Sequence, residues 1–454
     1  MTPQLFTHPL AFLRHTLGPR PLSAEQYLRR VAGRHAVLGY GAMATRREKA
    51  SRWENGAAVP ELTAQLAMAD LHGIPAEAVH TLDWPDWLLL ALDNRSVVDL
   101  PWTQAGMLHA LADTARGGPM DRRAFLIATG ATLTGAADHW LASLGQPSPA
   151  EAGGRLTVTP AMVDHLEQRL DHLRRLDDTL GGGSLRTLAA EELKLATSLL
   201  DDARYTSAVG TRLHSAVAEG ARLCGWLSFD SGHHASAQRY YLTALRAAAV
   251  ADDHATGANT LAFMAIQTYS TGNPADAVDL VEVAQRALGR GSTPRVRAML
   301  HARIARAHAK TGRTKDCVRA LNAAYDAHAH GPHDDDPAWC YWFSTGELEN
   351  LSGSCALDLG DPARAMHHFD AAQAAAYDQD GYHRDHALYL TRTAEAHLAQ
   401  GDIEHACASA SQAVTLLGGV ASARSSSTLD SFRDKLTPYR DAPPARDFLA
   451  TLAS

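Results

Sequence analysis

Five glycines in the C-terminal half of the chain occupy the same place in a recurring pattern. The segments are "GHHASAQRYYLTA" from Gly232, "GNPADAVDLVEVA" from Gly272, "GRTKDCVRALNAA" from Gly312, "GDPARAMHHFDAA" from Gly360 and "GDIEHACASASQA" from Gly401. Five residues after each glycine the side chain is small (Ala237, Ala277, Cys317, Ala365, Ala406). Four further on stands a bulkier residue (Tyr241, Val281, Leu321, Phe369), with Ala410 as the exception. An alanine follows three later in every unit (Ala244, Ala284, Ala324, Ala372, Ala413), and seven residues before each glycine the side chain is again small (Gly225, Ala265, Ala305, Gly353, Ala394). Two antiparallel helices joined at a glycine turn approach closely only where side chains are small, and the larger residue fills the gap that remains. The repeat therefore predicts stacked helical pairs with a concave face.

The rest of the chain fits an all-α fold. Alanine is abundant, aromatic residues make up 6% of the 454 residues, and the β-branched runs of a sheet protein are missing. This length allows two or three domains. The net charge of −8 excludes a general polyanion binder, but the charge is uneven. Residues 1–60 hold nine basic side chains against Glu25, Glu48 and Glu54, a surplus of six, so residues 61–454 carry −14. A basic head on an acidic body is expected where only the head meets phosphate. Cys224, Cys317, Cys340, Cys355 and Cys407 form no CxxC pair and read as reduced packing residues in a reducing compartment. No apolar run reaches the roughly 18 residues of a membrane span, and "MTPQLFTHPLAFLRHTLG" is too mixed for a signal peptide. The expectation is a cytoplasmic protein without a membrane partner.

Residues 8–80 read as short helices with tight joints. "HPLAFLRHTLG" ends in Gly18, and "SAEQYLRRVAGRHAVLG" starts on Ser23 as N-cap with Gln26 at the capping-box position. Its apolar stripe is Tyr27, Leu28, Val31 and Leu38. A third helix is expected from about Thr45 to Asn55, stopped by Gly56. Trp53 and Ala50 would anchor it, leaving Arg46, Arg47, Lys49 and Arg52 on an outer arc, with Thr45 offering its backbone N–H and hydroxyl to a phosphate. Glu48 would orient Arg52 through an i,i+4 pair. In a fourth helix, "PELTAQLAMADLHGIP", Leu62, Leu66 and Leu71 are expected to face inward and Gly73 to close it.

The run "SRWENGAAVPELTAQLAMADLHGIP" resembles the recognition-helix end of Xre/Cro-type helix-turn-helix regulators, in which Trp-Glu-x-Gly-x-x-x-Pro ends the third helix. The span from Tyr27 to Thr45 is longer than that family's short turn. The resemblance implies that Thr45, Arg46, Arg47, Lys49 and Arg52 contact double-stranded DNA. The glycine repeat resembles a tetratricopeptide array, although its glycines lie 40, 40, 48 and 41 residues apart instead of about 34. Together with "RLDDTLGGGSL", "GWLSFDSGHHASAQRYYLTAL" and an internal "DRRAFL", the chain resembles actinobacterial helix-turn-helix–tetratricopeptide regulators. That resemblance implies a regulator of development or specialised metabolism. It divides the chain into residues 1–80, a helix-turn-helix DNA-binding domain, 81–158, a helical connector, and 159–454, a tetratricopeptide-like α-solenoid. By looser analogy with peptide-sensing regulators, the solenoid would bind a peptide, small molecule or protein, and the chain would form a homodimer.

Projecting tetratricopeptide geometry places Arg222, Trp226, Asn259, Tyr269, Arg306, Lys310, Glu347 and Asn350 on the concave face. Arg and Asn suit a carboxylate or peptide backbone there, and Trp and Tyr suit apolar contact. No nucleophile–base pair is evident, and "LGGGSL" at 180–185 lacks the Lys-Ser/Thr of a phosphate loop, so no catalytic residue or cofactor is expected. "HAHGPHDDD" at 328–336 has metal-ligand residue types but reads as a polar loop; zinc hydrolysis at His333–Asp336 is the competing enzyme reading. "DRRAFLIATGATLTGAA" resembles a twin-arginine export signal but lies behind a whole domain, and reads as a helix capped by Asp121. The alternative to a regulator is a non-enzymatic interaction scaffold with a degenerate head.

Overall fold

The computed structural model describes residues 9–17, 22–54, 57–72, 74, 76–81, 84–85, 87–88, 100–115, 131–145, 156–271, 273–289, 292–375, 382–418, 420 and 422–453. The turn glycines Gly18, Gly56, Gly73 and Gly272 lie outside these residues, as does the expected cap at Asp121. The described chain is all-α apart from a two-residue parallel pairing of β1 (Leu156–Thr157) with β2 (Ala203–Arg204). It divides into two compact units, residues 1–100 with 117–132 and residues 101–116 with 133–454.

The first unit contains α1 (Pro9–Thr16), α2 (Ala24–Val37), α3 (Arg47–Glu54), α4 (Leu62–Leu71) and α5 (Ala76–Thr81). Ser23 and Gln26 form the expected capping box, each side chain bonding the other's backbone N–H, at 3.2 and 2.8 Å. Tyr27, Leu28 and Val31 of α2 pack with Leu10, Leu13, Ala50, Trp53 and Met68 in one core. Leu38 lies instead at the helix end and is 38% exposed. The apolar face of α4 also differs from expectation. Leu62 is 49% exposed and Leu66 and Leu71 are half-buried, while Ala64, Ala67 and Met68 are buried. Close approach of α4 to α2 selects the face with small residues over the one with the largest side chains.

The lengthened joint between α2 and α3 has a definite structure. Gly39 and Gly41 take φ of 83° and 81°, a left-handed conformation that a side chain would oppose. His35, buried at the end of α2, pins this segment: its Nδ1 meets the Gly41 carbonyl at 3.0 Å and its Nε2 the Thr63 hydroxyl at 3.1 Å. A carbonyl only accepts, so Nδ1 carries the proton in the neutral ring and Nε2 accepts from Thr63.

The second unit begins with α6 (Gln104–Ala115), α7 (Ala131–Ser143), α8 (Pro160–Leu180) and α9 (Gly182–Asp202). Five consecutive pairs follow: α10 (Ser207–Asp230) with α11 (His234–Ala251), α12 (His254–Thr271) with α13 (Pro274–Leu288), α14 (Pro294–Lys310) with α15 (Thr314–His328), α16 (Thr345–Asp358) with α17 (Pro362–Ala374), and α18 (His383–Ala399) with α19 (Ile403–Leu417). The chain ends in α20 (Ala423–Leu436) and α21 (Pro443–Ala453).

The repeat positions act as the pattern requires. Every small, bulky and alanine position in the five units is buried, Leu321 and Phe369 being the most exposed of their set at 6%. The residue seven before the turn glycine meets the bulky one nine after it. A Cβ on Gly225 would lie 2.5 Å from the Tyr241 ring, and one on Gly353 would lie 2.6 Å from Phe369. At Gly232, Gly312, Gly360 and Gly401, φ is 80°, 70°, 82° and 81°. In each case the next residue's N–H closes the helix by donating to the carbonyl five positions back, as from His233 to Ser228 at 2.8 Å.

Candidate functional site

The first helices of successive pairs, α10, α12, α14, α16 and α18, pack side by side. They wall a cavity of about 610 Å³. Six of the eight residues projected onto the concave face line it: Arg222, Trp226, Tyr269, Arg306, Lys310 and Glu347. Asn259 and Asn350 are buried at 1% and 6% exposure but do not line it.

The lining residues are largely engaged with one another. Arg222 forks onto Glu219 at 2.9 and 2.7 Å, and Glu219 also accepts from Arg174 at 2.7 Å. Asp358 gathers three cations: Arg306 and Arg392 at 2.5 Å and Lys310 at 3.3 Å. Burial alone would raise the Asp358 carboxyl, but the charges of Arg306, Arg392 and Lys310 more than reverse this and hold it well below the usual carboxylate range. Glu347 accepts from the Tyr389 hydroxyl at 2.9 Å, and burial, with Asp385 nearby, pushes it up to about 7.

A second set of residues, missed by the projection, closes the array on itself. Asp177 and Asp178, at the end of α8, bond Arg384 of α18. Asp230, at the end of α10, accepts from Ser422 at 2.8 Å and from Arg424 of α20 at 3.3 Å. Trp226 stands inside this closure. Its indole N–H donates to Asp177 at 2.8 Å, and the guanidinium groups of Arg384 and Arg424 lie 5.1 and 5.0 Å from its ring. Trp226 is thus a structural node as well as a wall of the cavity. Burial pushes the Asp178 carboxyl up to about 7 despite Arg384 and the hydrogen bond from Tyr341.

The long spacing between the third and fourth units also serves the cavity. The loop after α15 turns its polar groups on each other: the His333 N–H donates to Asp336 and the Asp335 N–H to His333 Nδ1, both at 3.1 Å. A short 3-10 turn at Ala338–Cys340 follows, and Trp339, Tyr341 and Trp342 join the wall. "LGGGSL" is a helix joint, Gly181 ending α8 with φ of 78°. All five cysteines are buried and free of disulfides.

In the head, α3 begins at Arg47, so Thr45 and Arg46 lie on the approach to the helix rather than in it. Ala50 and Trp53 are buried, while Arg46, Arg47 and Arg52 are exposed. None of these three makes an ion pair among the described residues, and the expected Glu48–Arg52 pair does not form. Lys49 is half-buried, its Nζ 5.3 Å from the Trp53 ring centre. Other arginines of the head are held: Arg14 by Glu54 and Arg29 by Glu25, both at 2.5 Å, and Arg34 by Asp70.

No family model matches the chain, and no curated protein or solved structure shows significant similarity to it. No helix among the described residues is long and apolar enough to cross a membrane.

Proposed function

We propose that the chain is a cytoplasmic, DNA-binding transcriptional regulator. Its head is a helix-turn-helix bundle of the Xre/Cro type, and its second unit is a tetratricopeptide-like solenoid whose cavity receives a signal. The observation that carries this reading is the state of Arg46, Arg47 and Arg52: exposed, without an ion pair among the described residues, and set on or beside a short helix whose Ala50 and Trp53 anchor it in a core. Unpaired guanidinium forks on a held helix suit phosphates and guanine edges. The partly apolar cavity supports a sensing role, since small-molecule sites typically occupy about 300–1,000 Å³.

A mobility-shift assay with duplex DNA at two salt concentrations tests the reading. Wild type should bind with a steep salt dependence, and the triple variant Arg46→Ala, Arg47→Ala, Lys49→Ala should lose binding and flatten the salt slope by about one for each phosphate contact removed. Equal, weak binding by both proteins would make the chain an interaction scaffold. A two-fold symmetric bound site would add that it acts as a homodimer.

A further inference from the structure

Arg303 of α14 differs from every other cation that lines the cavity. Arg174, Arg222, Arg306, Lys310, Arg384, Arg392, Arg424 and Lys435 are each bonded to at least one carboxylate. Arg303 is only 7% exposed, yet it has no hydrogen bond or ion pair among the described residues, and its Nε is buried without a partner. Its guanidinium carbon lies 5.1 Å from the Trp342 ring centre. A buried, unpaired guanidinium is costly, and native proteins seldom leave one unless something else completes it.

Around this cation stand aromatic and apolar side chains, with Glu347 and Tyr389 within reach of its charge. Trp342 meets Phe263 edge to face at 6.5 Å between ring centres, and Ile266 and Leu351 continue the surface. We infer that the cavity binds a small organic carboxylate, its anionic end paired with Arg303 and its ring-bearing body laid along Trp342 and Phe263. The inference rests on the sensor reading above and narrows it to a chemical class. The planar guanidinium fork matches a carboxylate with two parallel hydrogen bonds. Arg303 is bonded to no carboxylate among the described residues and feels Glu347 only through space, so a single carboxylate completes it better than a phosphate dianion. The signal is found in sequence as well as in structure. Arg303, Arg306 and Lys310 fall at i, i+3 and i+7 of one helical face in "HARIARAHAK".

Calorimetric titration of the full chain with a matched pair of probes tests this. 2-Naphthoate and 2-naphthamide share a ring and differ in the charge that they carry; inorganic phosphate serves as the anion without a body. Naphthoate should bind at one site per chain, naphthamide at least ten-fold more weakly, and phosphate more weakly still. Arg303→Met should lower naphthoate affinity about ten- to hundred-fold, the worth of one charge-assisted contact, and leave naphthamide unchanged. Arg303→Lys should restore part of the loss. Without ligand, Arg303→Met should unfold close to the wild-type temperature, because the guanidinium is bonded to no carboxylate among the described residues and its charge is offset only through space by Glu347. Equal binding of the two naphthalenes, or an Arg303→Met variant that binds naphthoate like wild type, would overturn the carboxylate inference while leaving a sensing cavity. No heat from any probe would remove the cavity's sensor role as well, and the DNA reading would still stand or fall on its own assay.

Discussion

In the head, Arg46, Arg47 and Arg52 stand in solvent with no carboxylate to hold them among the described residues, whereas in the repeat unit Arg222, Arg306 and Arg384 are buried, Arg424 is half-buried, and each is bonded to an acid. The residue type is the same and the physics is opposite. A hydrated guanidinium contributes little to stability and stays free for a polyanion. A buried one has given up its hydration and is committed to the acids around it, so removing it strands those acids. Arg303 belongs to neither group: it is buried like the second and unpaired like the first.

The largest test of this contrast is Arg384→Met. It leaves Asp177, Asp178 and Asp385 without their shared cation and should cost about 3–5 kcal/mol, seen as a lower midpoint in urea or heat. Adding Asp177→Asn should return part of that loss. A variant as stable as wild type would show that the closing cluster does not hold the array.

Glu347→Gln should give the next largest effect, and its sign depends on pH. The Glu347 carboxyl rises from 4.5 to about 7 in the folded chain, so folding favours its protonated form. Its stabilising contribution is complete below about pH 4.5 and is lost as pH rises through about 7. The glutamine variant stays neutral throughout. Relative to it, wild type should match at pH 4 and fall behind by on the order of 3 kcal/mol at pH 8, read from urea midpoints at the two pH values. A constant difference between them would mean that burial does not control this carboxyl.

The smallest effect is expected in the head. The Arg46→Ala, Arg47→Ala, Lys49→Ala variant should unfold within about 0.5 kcal/mol of wild type. A marked fall in stability would mean that these side chains are structural, and the contrast between the two units would fail.

The periodic features of this molecule were legible because helix spacing writes them locally. The repeat predicted its buried small and bulky positions and the pairing of helices at the turn glycines, and the same projection found six of the cavity's residues. What escaped depends on contacts between distant parts of the chain. Nothing near Asp177 in the sequence marks Arg384 as its partner. The residues after the polar loop at 328–336 carry no local sign that Trp339 and Trp342 line the cavity. In α4 the leucines outweighed the alanines on paper, and helix-to-helix distance reversed that preference.

One consequence follows from the bonds between α8 and α18 and between α10 and α20. An open row of hairpins frays from either end, each unit lost almost independently of the others. Here Arg384 reaches a partner 207 residues back and Ser422 one 192 residues back, which makes the row a hoop. A row clasped in this way should keep its terminal hairpins until the clasp opens, so that release and unfolding are expected to go together.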